Sequence, residues 1–177
     1  MVPMGGDDDD IALVLAARGG DRGAFGVLYG RYGRMVHGVL LTRVPRGQVE
    51  DLVQDVFLTA LKRLDSLREP ARFGGWLAII ARNRATDYHR RARETVELTE
   101  DLPGTVNDEE QEALAVLASL RTLPEAYRET LVLRLVEGMT GPEIAARTGM
   151  TEGSVRVNLH RGIKLLKEKL GIASDHV

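Results

Sequence analysis

The stretch from Gly141 to Leu166 carries the side chains best suited to meeting a nucleic acid. Ser154, Arg156, Asn158, His160, Arg161 and Lys164 follow one another there, with Glu152 just before them and Val157 among them. An arginine can bond both guanine acceptors at once, and lysines meet phosphates, which position without specifying sequence. Such groups read base edges only if a helix carries them into the major groove. Thr140-Gly141-Pro142-Glu143 reads as a capping box, which predicts a short helix over Pro142 to Arg147 ending at Thr148-Gly149. Thr151 then caps a second helix with the apolar stripe Val155, Leu159, Ile163, Leu166 and Leu170. Two short helices around a glycine turn make a helix-turn-helix, with Ile144, Ala145 and Val155 placed to pack the pair. An ordinary helix pair with a solvated basic face fits the bare pattern as well.

Two further groups stand earlier. Phe73-Gly74-Gly75-Trp76 reads as an aromatic-bearing loop before a helix that holds Arg82, Asn83, Arg84, Asp87, Arg90 and Arg91. Aromatics beside arginines suit a single strand with unstacked bases, although a tryptophan is more often core. The helix from Val49 to Leu64 presents Glu50, Asp51, Gln54 and Asp55 on its polar face, with Leu58 nearby. Such a face can dock a basic partner helix or simply be solvated.

The elements that hold these groups are helical. Phe25, Leu28, Tyr32, Met35, Val36 and Val39 recur at steps of three and four; so do Val49, Leu52, Val53, Val56, Phe57 and Ala60, and Trp76, Leu77, Ile80 and Ala81. A shorter helix, Asp10 to Arg18, precedes them and ends at Gly19-Gly20. Farther on, Leu114, Leu117, Leu120 and Leu123 form a stripe; Pro124 suits the first turn of a helix burying Leu131, Val132, Leu135 and Val136. No two-residue alternation appears, so the expected fold is all-α without a sheet.

Charge divides the chain. Trp76 to Arg93 holds five arginines against one acid, Glu94 to Glu112 holds eight acids and no base, and Thr140 to Gly171 holds six bases against three acids. With Pro103-Gly104 inside it, the acidic stretch reads as a flexible linker. The expected architecture is two small helical domains, 8–93 and 112–171, joined by linker 94–111, the second a helix-turn-helix. A length of 177 residues at 44% hydrophobic and 28% charged supports packed cores. There is no cysteine, and the four histidines show no metal-ligand spacing, so neither a metal nor another cofactor is expected. No nucleophile–base pair or phosphate loop is evident, and the chain does not read as an enzyme. No apolar run suits a membrane span, and the acidic start Asp7-Asp8-Asp9-Asp10 is unlike a secretory signal, so a cytoplasmic protein is expected. A net charge of −2 argues against coating nucleic acid by charge alone.

Together these residues resemble the extracytoplasmic-function (ECF) group of sigma-70-family sigma factors, which hold only regions 2 and 4. Asp51-Leu52-Val53-Gln54-Asp55-Val56-Phe57 looks like region 2.2, and Phe73-x-x-Trp76-Leu77-x-x-Ile80-Ala81-Arg82-Asn83-x-x-x-Asp87 like regions 2.3 and 2.4. Leu123-Pro124 is similar to the start of region 4, and Glu143-Ile144-Ala145 through Ser154-Val155-Arg156-x-x-Leu159-x-Arg161-Gly162 looks like region 4.2. The resemblance covers roughly Ala12 to Gly171.

It implies an initiation subunit that binds core RNA polymerase, through the largest-subunit coiled coil and the flap, recognises the −10 and −35 promoter elements and promotes melting. Asp51, Gln54 and Asp55 would touch the coiled coil, with Phe57 supporting that surface from the core. The loop Ser66 to Gly75 matches the one that pockets a flipped base of the −10 element. Trp76, Asn83, Arg84, Asp87, Arg90 and Arg91 would serve that element, and Ser154, Arg156, Val157, Asn158, His160, Arg161 and Lys164 the −35 element. An anti-sigma factor is the further partner the resemblance implies. Many relatives carry Tyr-Arg where this chain has Ala78-Ile79, and Val157 replaces a commonly polar residue. The alternative is a stand-alone helix-turn-helix regulator, which would bind a palindrome as a dimer.

Overall fold

The computed structural model describes residues 6–95 and 107–172, and among them there are eight α-helices and no strand. Residues 96–106, which make up most of the linker expected over 94–111, lie outside the described residues. The first unit comprises α1 (Gly6–Arg18), α2 (Arg22–Leu41), α3 (Val49–Arg63) and α4 (Phe73–Glu94). The second comprises α5 (Asp108–Arg121), α6 (Glu125–Leu135), α7 (Gly141–Thr148) and α8 (Glu152–Leu170).

Local chemistry sets the helix starts. Asp21 accepts the Ala24 N–H ahead of α2, Asn107 the Glu110 N–H ahead of α5, and Thr151 the Ser154 N–H ahead of α8. Each bond satisfies one of the donors a helix leaves unpaired at its first turn. Helix α2 runs through the middle of its unit, burying Leu28, Met35, Val36, Val39 and Leu40 against Val53, Val56 and Phe57 of α3 and Leu77, Ile80 and Ala81 of α4. In the second unit Leu120, Leu131, Ile144, Val155 and Leu166 form the equivalent centre. There α8 crosses α6 at Gly162, where a methyl would lie 2.9 Å from Leu131 Cδ1. The buried residues of the two units belong to one continuous cluster.

Several sequence expectations are corrected. Phe73 to Gly75 are not loop but the first turn of α4, because Phe73 is buried against Tyr32 with ring centroids 5.0 Å apart and anchors the helix start. Asp108 to Gln111, assigned to the linker, are helical, with three acids in the first turn of α5, where they favour the positive end of the helix dipole. Pro124 is the N-cap of α6, with ψ 143°, rather than a residue of its first turn. Leu135 and Val136 are 52% and 49% exposed, because α6 ends there and buries Leu133 instead. Ile163 and Leu170 of the expected α8 stripe are also exposed, since α6 and α7 cover only the side of α8 that carries Val155, Gly162 and Leu166.

Candidate nucleic-acid interface

Helix α7 is set by its ends. The Thr140 N–H donates to Glu143 Oε2 at 2.7 Å while the Glu143 N–H donates to Thr140 Oγ1 at 3.3 Å, so the capping box forms in both directions. The Thr140 backbone N–H also holds the Glu143 carboxyl below its ordinary range. At the other end Gly149 takes φ +75°, a left-handed conformation open to glycine at no steric cost, which turns the chain within three residues into α8. Ile144, Ala145 and Val155 are buried between the helices, as their spacing predicts. Ser154, Arg156, Val157, His160, Arg161 and Lys164 are therefore left on the solvent face of α8, with Asn158 half-buried at its margin. This is the geometry a recognition helix needs: rigid, capped and presenting donors outward. Val157, 45% exposed, adds an apolar contact to that face.

In the first unit Asp51, Gln54 and Asp55 are exposed on α3, beside exposed Leu58. Phe57 points the other way and is buried against Phe25 and Tyr29, with ring centroids 6.3 and 4.2 Å away. On α4, Trp76 is half-buried, 5.9 Å between ring centroids from Phe73. Asn83, Arg90 and Arg91 are exposed; Arg84 donates to Thr59 Oγ1 at 2.8 Å, and Arg90 lies 3.1 Å from Asp87. Asp55 and Leu52 of α3 line one groove of about 270 Å³ with Arg84, Asp87 and Arg91 of α4. The acidic face of α3 and the basic half of α4 thus adjoin. A second groove, about 580 Å³, holds Leu67, Arg72, Trp76 and Ile79 on one wall and Ala146, Thr148 and Gly149 of the helix-turn-helix on the other.

Sequence reasoning missed the charged seam between the units. Asp10 is 5% exposed; it accepts Arg31 at 2.5 Å, the Tyr32 hydroxyl at 2.7 Å and Arg147 of α7 at 3.1 Å. Burial first, and the bond to Asp10 second, push the Tyr32 phenol well above its ordinary range. Glu129 of α6, also 5% exposed, accepts Arg82 through both oxygens, at 2.6 and 3.1 Å, and Arg43 at 3.0 Å. The Arg82 guanidinium is held above its ordinary value by that bond, whereas burial pulls Arg43 down. The signal was present: Asp10 shares a helical face with Val14 and Ala17, and Glu129 stands three and four residues before Val132 and Leu133. An acid on an apolar face asks for a buried partner.

His37 of α2 pairs with Glu137, just beyond α6, and this bond raises its pKa above 6.5 despite burial; Glu50, 3.6 Å away, adds to the rise and Arg46 opposes it. The sign follows directly. A raised folded-state pKa gives stability that is fully present below 6.5 and lost as pH climbs through the raised value. The stability of the wild type in urea unfolding is expected to fall with rising pH above 6.5, by at most about 1.4 kcal/mol per pH unit, and His37→Gln to flatten that slope.

Among the described residues no group of His, Cys, Asp and Glu is placed to hold a metal ion, and no helix is long and apolar enough to cross a membrane. Against known proteins, the profile of sigma-70 region 2 matches residues 28–95 and that of sigma-70 region 4 matches residues 113–166. The chain is 32% identical to the ECF RNA polymerase sigma-E factor of Haemophilus influenzae, covering 91% of this chain and 95% of that protein. It is 34% identical to the RNA polymerase sigma factor CarQ of Myxococcus xanthus, covering 87% and 93%. It is also 31% identical to the ECF RNA polymerase sigma factor BldN of Streptomyces coelicolor over 89% of this chain, but spans only 64% of that longer protein. Among solved structures, CnrH in complex with the cytosolic domain of CnrY superposes with a TM-score of 0.64 at 29% identity, covering 94% of this chain and 99% of CnrH. RpoE of Bartonella quintana, solved with the anti-sigma factor NepR, superposes at 0.53 and 22% identity over 84% and 97%, which speaks for the fold alone. With region 2 and region 4 in order and full-length relatives above 30% identity, the chain belongs to the ECF group of sigma-70-family RNA polymerase sigma factors.

Proposed function

We propose that the first unit seats this sigma factor on core RNA polymerase and reads the −10 element, and that the second reads the −35 element. A sigma factor of this group directs core polymerase to promoters; what is proposed is how these residues divide the work. Asp51, Gln54 and Asp55 meet the basic face of the largest-subunit coiled coil, with Phe57 bracing α3 from below. Trp76, Asn83, Arg84, Asp87, Arg90 and Arg91 take the melted −10 strand, the arginines on phosphates and the loop before α4 on the extruded base. Ser154, Arg156, Val157, Asn158, His160, Arg161 and Lys164 meet the −35 element, while the flap of the polymerase holds the second unit.

The observation that carries this reading is the adjacency in the first unit. Asp55 at the edge of the acidic face of α3 lines the same groove as Arg84, Asp87 and Arg91 of α4, so a protein docked on α3 lies beside a strand held on α4. The near-neutral chain, at −2, then binds DNA strongly only when polymerase supplies further contacts. An anti-sigma factor is the proposed regulatory partner, as CnrY and NepR accompany the two structural relatives. The place of action is the cytoplasm, where core polymerase works.

Run-off transcription with purified core polymerase over a genomic promoter library tests the assignment. Discrete start sites that depend on the added chain are expected. Tight, sequence-specific binding of a palindrome by the isolated chain, with no effect on polymerase, would favour a stand-alone regulator instead.

A further inference from the structure

Arg43 just beyond α2, Arg82, Thr86 and His89 of α4, and Glu125 and Arg128 of α6 line a recess of about 350 Å³. None of the polymerase or promoter contacts proposed above falls in it. Its acids already have partners: Glu129, behind the recess, accepts Arg82 through both oxygens and Arg43 through one, and Glu125 accepts Arg43 at 2.5 Å. The bases are in excess. Arg121 stands behind Arg128, whose Nη1 donates to the Arg121 carbonyl oxygen at 3.2 Å. Four arginines thus share this corner with two glutamates, which leaves two positive charges over. Nε of Arg43 and Nε of Arg128 are buried with no hydrogen-bond partner among the described residues, so neither guanidinium is fully countered. Burial pulls Arg43 and Arg121 below their ordinary values, and Arg128 pushes both the same way, against the opposing effect of Glu129 and Glu125 on Arg43. Surplus charge held away from water is costly unless an anion meets it.

We propose that this recess binds one phosphate dianion, as free phosphate or as the terminal group of a small phosphate monoester. A monoester carries close to two negative charges at neutral pH, which matches the surplus, whereas each phosphodiester of a nucleic-acid backbone carries one. Guanidinium groups from three segments of the chain converge on the recess, and their planar edges suit phosphate oxygens. The volume lies at the small end of the range for ligand sites, enough for a phosphate with a sugar-sized group but not for a duplex. The stripe of α4 differs too. Arg82, Thr86 and His89 follow at steps of four and three along one side of the helix, whereas Asn83, Arg84, Asp87 and Arg91 turn to its other sides. His89 Nε2 donates to the Arg43 carbonyl oxygen at 2.5 Å and ties two walls of the recess together.

Calorimetric titration of the full chain with inorganic phosphate, at an ionic strength fixed with sodium chloride, tests the proposal. Saturable binding of one phosphate per chain is expected. Adenosine 5′-monophosphate separates the two sources: binding tighter than that of phosphate marks a site for a phosphorylated metabolite, and equal or weaker binding marks one for the free ion. Dimethyl phosphate, a singly charged diester, is expected to bind at least about tenfold more weakly than phosphate, since it carries half the charge. Arg128→Gln removes one surplus charge but keeps an amide donor; it is expected to weaken phosphate binding at least about tenfold, the loss of one charge-assisted contact. Thr86→Glu places a carboxylate on the exposed rim without touching the core and is expected to weaken binding as much. It carries the test should the arginine variant fail to fold. The absence of saturable phosphate binding by the unaltered chain would overturn the proposal. Undiminished affinity in the Thr86→Glu chain would do so as well, as would dimethyl phosphate binding as tightly as phosphate. The titration involves neither polymerase nor promoter, so its outcome is independent of the functional reading above.

Discussion

Asp55→Arg is expected to abolish promoter-dependent transcription by holoenzyme, with a loss of about a hundredfold or more, while leaving the fold intact. Asp55 is exposed in the middle of the acidic face of α3, between Asp51 and the exposed Leu58, so neither core nor cap is disturbed by the change. Reversing the sign at a docking face replaces an attraction with a like-charge contact, and such changes cost about 2–5 kcal/mol at interfaces. The middle and upper part of that range, from about 2.7 kcal/mol, corresponds to a loss of affinity from about a hundredfold to roughly 5,000-fold. Thermal unfolding of the variant should match the wild type within about 0.5 kcal/mol, as surface substitutions do. Pull-down with core polymerase is the direct measurement. Unimpaired assembly would show that α3 docks elsewhere, whereas lost assembly with an unchanged melting curve places Asp55 in the contact.

Ile144→Ala is expected to disable the helix-turn-helix from inside. Ile144 is fully buried on α7 and, with Ala145 and Val155, sets the angle at which α8 leaves the turn. Deleting a buried isoleucine to alanine costs about 2–5 kcal/mol, part from lost transfer and part from the cavity. A unit of this size has little stability to spare, so the loss takes most of it. The expected results are a melting temperature lowered by roughly 10 °C or more and transcription that no longer responds to substitutions in the −35 element. Ile144→Val, which removes one methyl, should cost only about 0.5–1.5 kcal/mol and keep that response. If the alanine variant melts like the wild type, the packing described for α7 and α8 is wrong.

How far the sequence reached differs from element to element. Helices α7 and α8 were legible because Thr140 and Thr151 cap their starts locally, and α2 and α3 because their apolar residues recur at helical spacing. The solvent face of α8 was legible for the same reason, since a capped helix with one buried stripe must turn its other residues outward. Phe73 to Gly75 misled because two glycines normally signal a loop. Here Gly74 meets the other unit's backbone so closely that a methyl would lie 2.3 Å from the Arg147 carbonyl oxygen, while Gly75 beside it makes ordinary contact with the same turn. Leu133 went unread because it packs against Gly38 of α2 in the other unit, and helical periodicity within one segment carries no information about a second neighbour.

The chain by itself therefore determined an all-helical protein with two units, a capped helix that turns a polar face outward and a second helix with an exposed acidic face. All of these follow from interactions within a few residues or from a repeating burial pattern. Only the tertiary structure decided that Asp10 would hold Arg147 and that Glu129 would hold Arg82 and Arg43. A carboxylate on an apolar face announces that it needs a buried partner, but many arginines can answer it. Which one does depends on where helices distant in sequence come to lie, and that is set by the shape of the packed core rather than by any local preference.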